Sequence, residues 1–437
     1  MLAGITSLDL LAGPVPLVVG ALACLAGIYL LARNRRRWLL WVAGAVLASA
    51  IAAVGINWWA VHAAQLSAYD LPLAVQGWCA VAVLGLVLAV LNLVGATWRR
   101  RLLAPVAMLV VILCAALQIN AYFGQYRTID DITGAAASGI APLPTSAKPA
   151  SPDVGTSAGG GAASGWEPPA QMPGRGSVYS VDIPGTVSGF SPRTGYVYLP
   201  PAYNAANGPR LPVLVLIAGQ PGSPQDWLGG GQLSTLMDSY AGAHRGLAPV
   251  VVVVDANGST DGNTMCMDSN LAKADTYLTQ DVPAWIKASL MVDANPQRWA
   301  MGGFSFGGTC SIQMAALHPD IYPNALDFSG EKEPALSADR ATTVKTAFGG
   351  DTAAFDALTP LNVLAKGQYS DSWAYFAAGA QDSEFGANMA IVSAAASTAG
   401  MKVRTQLVAG AGHAWAVPIA AMGPALDWLA PRMGLAS

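Results

Sequence analysis

Ser305 stands at the centre of a Gly-x-Ser-x-Gly pattern, Gly303-Phe304-Ser305-Phe306-Gly307. The preceding run RWAMGGF predicts a strand and the following run GTCSIQMAALH predicts a helix, so the serine falls where the chain turns between them. Glycines around such a turn let the backbone fold back tightly and expose the hydroxyl. The pattern predicts a nucleophilic serine, and an ordinary strand-to-helix turn is the simpler alternative.

A serine hydroxyl near neutral pH needs a base to accept its proton and an acid to hold that base. His413 follows the predicted strand KVRTQLVAG in a glycine-rich loop, and we expect it to be the base. Asp382 directly follows the predicted strand SWAYFAAGA and precedes His413 by one helix and one strand. This order predicts Asp382 as the acid, with Glu384 two residues further on as the alternative.

Two main-chain N–H groups are the expected donors to the oxyanion that forms during acyl transfer. They belong to Phe306, directly after the serine, and to Gln220, after the predicted strand LPVLVLIAG. Trp227 and Trp415 could line a site for a molecule that accepts the acyl group, although packing in the core explains these two residues as well. The cysteines and histidines show no metal-ligand spacing, so we expect neither a metal nor another cofactor.

These residues belong to a segment, 176–437, in which β-rich runs alternate with alanine-rich helical runs. Continuous apolar strands separated by helices are typical of a mostly parallel sheet that helices cover on both faces. The segment before it, 127–175, consists largely of Ala, Gly, Ser, Pro and Thr, and its composition predicts a flexible linker.

The first part of the chain, 1–126, accounts for a composition that is 53% hydrophobic and 11% charged. Four uncharged apolar runs at about 14–32, 38–61, 72–97 and 102–123 are each close to or above the ~20 residues needed to cross a bilayer. We predict four transmembrane helices that serve as an anchor. A cleaved signal peptide is the alternative for the first run, but its positive charges follow the apolar core instead of preceding it.

Charge predicts the orientation of this anchor. Two arginine clusters lie between the first and second runs, at 33–37, and between the third and fourth, at 99–101. The positive-inside rule places both clusters in the cytoplasm, so that the N-terminus and everything after Phe123 lie outside. The net charge of −3 provides no basic surface for nucleic acid, which we exclude as a partner.

Cys266 and Cys310 lie in the segment predicted to be outside the membrane, where oxidation is permitted. We expect a disulfide between them, which would tie the loop before the helix TYLTQDVPAWIKASL to the helix that follows Ser305. Two buried free thiols are the alternative.

Several motifs resemble the esterase D type of α/β hydrolase, a group that includes S-formylglutathione hydrolase, feruloyl esterases and mycolyltransferases. They are YVYLPPAY, TYLTQDVPAWI, RWAMGGFSFGGTCSIQMAALHPDIYPNALDFSGE and AGHAW. The resemblance implies an α/β-hydrolase domain over 176–437, with Ser305 as nucleophile, Asp382 as acid and His413 as base. Phe306 replaces the commoner methionine, which leaves the main-chain donor unchanged. With its anchor and linker, the chain looks like the membrane-anchored esterases of actinobacterial envelopes.

The sequence therefore predicts a four-helix transmembrane anchor followed by an α/β-hydrolase domain. The leading functional hypothesis is an extracytoplasmic serine esterase that cleaves an acyl or aminoacyl ester of an envelope lipid or glycan through an acyl-enzyme. An acyltransferase of mycolyltransferase type, which passes the acyl group to a sugar or lipid hydroxyl, is the first alternative. A catalytically silent binding domain on a membrane anchor is the second.

Overall fold

The computed structural model describes residues 6–64, 68–144, 161–205 and 207–436. The chain forms two compact units, residues 1–135 with 336–339 and residues 136–335 with 340–437. We call them the N-terminal and the C-terminal unit.

Four long helices form the N-terminal unit: α1 Pro14–Leu31, α2 Trp38–Trp58, α3 Leu73–Leu93 and α4 Trp98–Phe123. A π-helical turn, Trp59–Ala63, continues α2. Within the described residues, these four are long and apolar enough to span a membrane, which makes the protein membrane-anchored. The fourth helix begins four residues before its predicted start and takes in the arginines at 99–101, because arginine is a good helix former.

Side chains near one end of this bundle join the helices. Arg33, after α1, donates hydrogen bonds to the carbonyl oxygens of Leu91 and Val94, both at 2.6 Å. Arg100, on α4, donates to Oδ1 of the buried Asn92 at 2.5 Å and also to the carbonyl oxygen of Ala32. Arginines of the two clusters therefore lie at the same end of the bundle.

The C-terminal unit contains an eight-stranded sheet in the order β1-β2-β4-β3-β5-β6-β7-β8. Its strands are β1 Ser177–Val181, β2 Gly195–Leu199, β3 Val213–Ile217, β4 Val250–Val254, β5 Trp299–Phe304, β6 Asn324–Phe328, β7 Trp373–Gly379 and β8 Lys402–Val408. The pairs β1–β2 and β2–β4 are antiparallel, and all other pairs are parallel. The mostly parallel sheet is confirmed.

Helices cover both faces of this sheet. Two short helices precede the sheet in the chain, α5 Ile129–Thr133 in the N-terminal unit and α6 Ala135–Ser138. The helices that follow are α7 Leu233–Ala243, α8 Val282–Ser289, α9 Phe306–Leu317, α10 Arg340–Phe348, α11 Thr352–Asp356, α12 Pro360–Leu364, α13 Ser383–Thr398 and α14 Ala416–Met433. A helical turn, Ala274–Thr276, and a π-helical segment, Tyr277–Asp281, lead into α8. Adjacent β6 residues Ala325 and Leu326 belong to two different buried apolar clusters. Successive strand residues point to opposite faces, so each face has its own core.

The predicted flexible linker at 127–175 is wrong in part, because residues on both sides of 145–160 pack on the C-terminal unit. Leu143 donates its N–H to the Ser180 carbonyl oxygen and Ser180 donates to that of Ala141, both at 3.0 Å, which adds a short parallel bridge to β1. Trp166 is 8% exposed and donates from Nε1 to the Arg245 carbonyl oxygen at 3.0 Å. A few large apolar residues in a segment of small residues suffice for this packing. Residues 145–160 of the predicted linker lie outside the described residues.

Candidate active site

Ser305 occupies a strained turn between β5 and α9. Its backbone angles are φ 56° and ψ −117°, a left-handed conformation that costs a non-glycine residue about 1–3 kcal/mol. A Cβ at Gly303 would lie 2.4 Å from the carbonyl carbon of Gly307, and a Cβ at Gly307 would lie 2.1 Å from the Ile217 carbonyl oxygen. Both glycines are therefore required by close backbone approach, which explains the motif that surrounds the serine.

His413 lies against the serine hydroxyl. Its Nε2 is 2.9 Å from Ser305 Oγ, a distance at which a proton can pass between them. The imidazole lies between two phenyl rings, with centroids 3.8 Å away at Phe385 and 5.0 Å away at Phe304. The two rings restrict the imidazole to a plane that keeps Nε2 directed at the serine.

Asp382 lies on the other side of the imidazole, with Oδ2 3.3 Å from His413 Nδ1. Its second oxygen, Oδ1, accepts the N–H of Phe385 at 3.1 Å and so caps the N-terminus of α13. Glu384, the alternative acid, is exposed in the first turn of that helix. Of the two candidate carboxylates, the structure brings Asp382 to the histidine.

The two segments expected to supply oxyanion donors flank the serine. Phe306 is the first residue of α9, whose first N–H groups have no partner within the helix. The loop after β3 passes beside the serine, since a Cβ at Gly219 would lie 3.5 Å from the Ser305 Cβ. Gln220 follows in that loop, and its side chain donates to the Asp261 carbonyl oxygen at 3.4 Å.

Comparisons with known proteins identify the family of this chain. A sequence model of the family described as "Putative esterase" matches residues 190–417, more than half of the 437 residues. An uncharacterised protein of Corynebacterium glutamicum is 32% identical over 414 residues, which cover 92% of each chain. The chain belongs to this esterase family.

Solved structures show the same fold for the esterase. A ferulic acid esterase is 17% identical with a TM-score of 0.50, over 59% of this chain and 98% of that one. An S-formylglutathione hydrolase from Agrobacterium tumefaciens is 17% identical with a TM-score of 0.50, over 60% and 97%. The C-terminal unit is an α/β-hydrolase domain, the resemblance to esterase D-type hydrolases is confirmed, and the esterase is a serine ester hydrolase.

Trp227 and Trp415 do not line a substrate surface in the esterase. Their exposed fractions are 0% and 2%, and their rings meet edge to face with centroids 5.0 Å apart. Trp415 also packs on Phe304 at 5.0 Å, and Trp227 donates from Nε1 to the Ile217 carbonyl oxygen at 3.1 Å. The suggested role at an acceptor site is therefore wrong, and these indoles support the active site from within the core.

The predicted disulfide between Cys266 and Cys310 is confirmed, with 5.7 Å between the two Cα atoms. It joins the loop after β4 to α9, five residues beyond Ser305. The side-chain amide of Gln313 supports the same junction by donating to the carbonyl oxygens of Met265 at 3.3 Å and Cys266 at 3.2 Å. The helix that begins at the serine is thus fixed along its length to a neighbouring loop.

The other two histidines of the C-terminal unit are engaged elsewhere. His318 Nε2 lies 2.8 Å from Asp275 Oδ1. His244 bonds through Nδ1 to the Tyr240 carbonyl oxygen at 2.7 Å. Neither is placed as a partner of the serine, which agrees with the choice of His413 from the sequence.

Three buried carboxylates of the C-terminal unit were missed by sequence reasoning. Asp327 on β6 is 3% exposed, and a Cβ at Gly308 of α9 would lie 2.6 Å from its Oδ1. Burial raises the pKa of Asp327 to about 7. Burial also opposes the charge of Asp255 and Asp281, but hydrogen bonds to both carboxylates outweigh it and lower each pKa. In the sequence these aspartates lie within or beside predicted strands and helices, where nothing distinguishes them from surface carboxylates.

Proposed function

We propose that the esterase hydrolyses an acyl or aminoacyl ester of a cell-envelope lipid or glycan through an acyl-enzyme on Ser305. The observation that carries the proposal is the continuous contact from Ser305 Oγ to His413 Nε2, at 2.9 Å, and from His413 Nδ1 to Asp382, at 3.3 Å. A nucleophile, a base and an orienting carboxylate in this order are the requirements for serine-based acyl transfer.

In the first half of the reaction, Ser305 Oγ attacks the carbonyl carbon of the ester and His413 Nε2 takes its proton. Asp382 holds the imidazole and stabilises the imidazolium that forms. The N–H groups of Phe306 and Gln220 stabilise the oxyanion of the tetrahedral intermediate. The ester C–O bond then breaks, and the alcohol leaves with the proton from His413.

In the second half, water attacks the acyl group on Ser305. His413 takes a proton from the water and returns it to the serine oxygen as the acyl-enzyme bond breaks. The products are a free serine and a carboxylic acid. The chemistry is the same for an aminoacyl ester, since only the acyl substituent differs.

Two observations support an extracytoplasmic catalytic domain. Arg33 and Arg100, from the two arginine clusters, lie at the same end of the helical bundle, and the positive-inside rule places that end in the cytoplasm. With four spans, the chain after α4 then lies outside. A disulfide in the catalytic domain is typical of that compartment.

The test compares strains that carry the wild-type chain or Ser305→Ala, with both envelope lipids and envelope glycans profiled. We expect one class of ester to accumulate in the Ser305→Ala strain. The matched control is Ser397→Ala, which removes the hydroxyl of an exposed serine on α13. An unchanged ester profile would contradict the envelope substrate, and loss of an acylated product in the variant would favour acyl transfer over hydrolysis.

A further inference from the structure

A polar pocket with no role in the reaction above lies in the C-terminal unit. Its volume is about 590 Å³, and three segments line it: the loop between β1 and β2, the loop after β4, and the segment before Ala274. Its lining includes the amides of Asn257, Asn263 and Asn270, the cation of Lys273 and the ring of Phe190. Among the described residues that line it there is no Asp or Glu.

The loop after β4 connects this pocket to the active site. Gly222, in the loop after β3 that carries Gln220, donates its N–H to the Thr260 carbonyl oxygen at 3.0 Å. The same loop runs on through Thr264, which lines the pocket, to the disulfide between Cys266 and Cys310. Cys310 lies five residues after Ser305, about 7.5 Å of helix rise. One loop therefore contacts the loop that carries Gln220, lines the pocket and is joined to the helix that begins at the serine.

One buried carboxylate fixes each of two pocket walls. Asp281 accepts hydrogen bonds from Thr186 Oγ1 at 2.9 Å and from the N–H groups of Val187 at 2.8 Å and Ser188 at 3.0 Å. This holds the loop between β1 and β2 in place.

Asp255 fixes the loop after β4 in the same way. It accepts the N–H groups of Asn257 at 3.1 Å and Gly258 at 3.0 Å, and it pairs with Arg193 at 2.8 Å. With both walls held before a ligand arrives, binding costs little ordering entropy.

Some polar side chains of the lining make hydrogen bonds within the protein, and others are available to a ligand. Asn257 accepts the Thr264 N–H at 3.1 Å, and Asn263 donates to the Ala335 carbonyl oxygen at 2.9 Å. The main-chain N–H of Asn270 donates to the Ala347 carbonyl oxygen at 2.9 Å. The side-chain amide of this exposed residue makes no hydrogen bond to any described residue. The exposed ammonium of Lys273 likewise has no acidic partner in the described part of the chain.

The chemistry of this lining selects the ligand. Neutral amides donate and accept, as sugar hydroxyls do, and a phenyl ring suits the apolar C–H face of a sugar. An acyl chain requires a predominantly apolar lining, whereas eight of the thirteen residues that line this pocket are polar. A phosphate group is typically bound by several cations or an arginine fork, and this pocket has one lysine.

We propose that the polar pocket binds a sugar unit of the substrate at a distance from the reacting ester. The ligand is then a glycan or glycolipid ester that carries a sugar unit besides the one bearing the ester. This inference rests on the proposed function and narrows its substrate class to carbohydrate esters.

The kinetic test uses the full chain, with an acetylated trisaccharide and p-nitrophenyl acetate as substrates. Ala272→Trp fills the pocket, and we expect it to lower kcat/KM for the trisaccharide ester at least tenfold while leaving p-nitrophenyl acetate unchanged. Asn270→Ala is expected to lower the same value about fivefold, the effect of one net hydrogen bond. Asn204→Ala, an exposed asparagine outside the pocket, is the control and should change neither value. Parallel losses on both substrates, or no loss on either, would overturn the proposal.

Calorimetric titration of the Ser305→Ala chain separates this proposal from the proposed function, because it needs no turnover. The probes are neutral trisaccharides of glucose, mannose and arabinose, and inorganic phosphate. Binding of a trisaccharide that Ala272→Trp abolishes supports the pocket even if the wild type hydrolyses nothing. Absence of trisaccharide binding, binding that Ala272→Trp leaves unchanged, or phosphate binding that depends on Lys273 would each contradict it.

Discussion

At the scale of single residues, Asp382 uses its two carboxylate oxygens for different purposes. Oδ1 caps α13 through the Phe385 N–H, and Oδ2 faces Nδ1 of His413. The cap fixes the carboxylate 3.3 Å from the imidazole that Phe385 also packs against. The position of the proposed acid thus follows from the start of a helix.

Asp382→Asn separates these two roles. Asparagine caps a helix about as well as aspartate does, so we expect little change in Tm. It cannot stabilise an imidazolium and favours the wrong tautomer, so we expect kcat for p-nitrophenyl acetate to fall about 10³–10⁴-fold. Asp351→Asn changes another capping aspartate, whose Oδ1 accepts the Ala354 N–H at 3.0 Å, and should leave kcat unchanged. Equal kcat values for the two variants would refute the assignment of Asp382.

His318 predicts a pH dependence of stability. Burial lowers its pKa, but the hydrogen bond and charge of Asp275 outweigh burial and raise the pKa above the usual 6.5. Because the pKa of His318 is higher in the folded than in the unfolded state, its protonation stabilises the fold. This stabilisation is complete at pH values below the unfolded-state pKa and is lost as the pH rises through the folded-state pKa. The Tm advantage of the wild type over His318→Gln should therefore be largest near pH 5.5 and shrink toward pH 9. Asp275→Asn should remove this trend, and a trend of opposite sign would show that burial dominates.

At the scale of elements, the turn from β5 into α9 depends on glycine at two positions. Gly307→Ala would bring its Cβ to 2.1 Å from the Ile217 carbonyl oxygen, a backbone atom that cannot move aside. We expect the free energy of unfolding to fall by about 3 kcal/mol, at the upper end for overpacking. Gly242→Ala on α7 meets no atom within 4 Å and should raise it by about 0.5–1 kcal/mol. Thermal unfolding of both variants measures this, and equal destabilisation would contradict the steric account.

Sequence patterns predicted the elements that carry strong periodicity or a local motif. The structure confirms the strand and helix that flank Ser305, the strand before Asp382 and the four apolar helices. Each could be predicted because the pattern that indicates it lies within about twenty residues of sequence. Strand β1 was missed, since SVYSV is short and only half-buried at the sheet edge. The burial of Trp227 and Trp415 depends on contacts between segments nearly 190 residues apart. No local pattern records such long-range packing.

At the scale of the whole molecule, fusion reporters test the orientation in the membrane. We expect alkaline phosphatase fused after the C-terminal unit to be active and green fluorescent protein fused there to be dark, because the proposed orientation puts the chain after α4 outside. Fusions after Arg37, between α1 and α2, are the control and should give the opposite pair of results. A fluorescent, phosphatase-inactive C-terminal fusion would place the catalytic domain in the cytoplasm and exclude envelope esters as its substrates.

The identity of the nucleophile is the central claim, and covalent labelling tests it most directly. The full-length wild type is treated with a fluorophosphonate, digested and mapped by mass spectrometry. We predict a single modified serine, Ser305, no labelling in Ser305→Ala, and labelling slowed about 10³-fold or more in His413→Ala because the base is gone. Labelling of a different serine, or none in the folded wild type, would contradict the account.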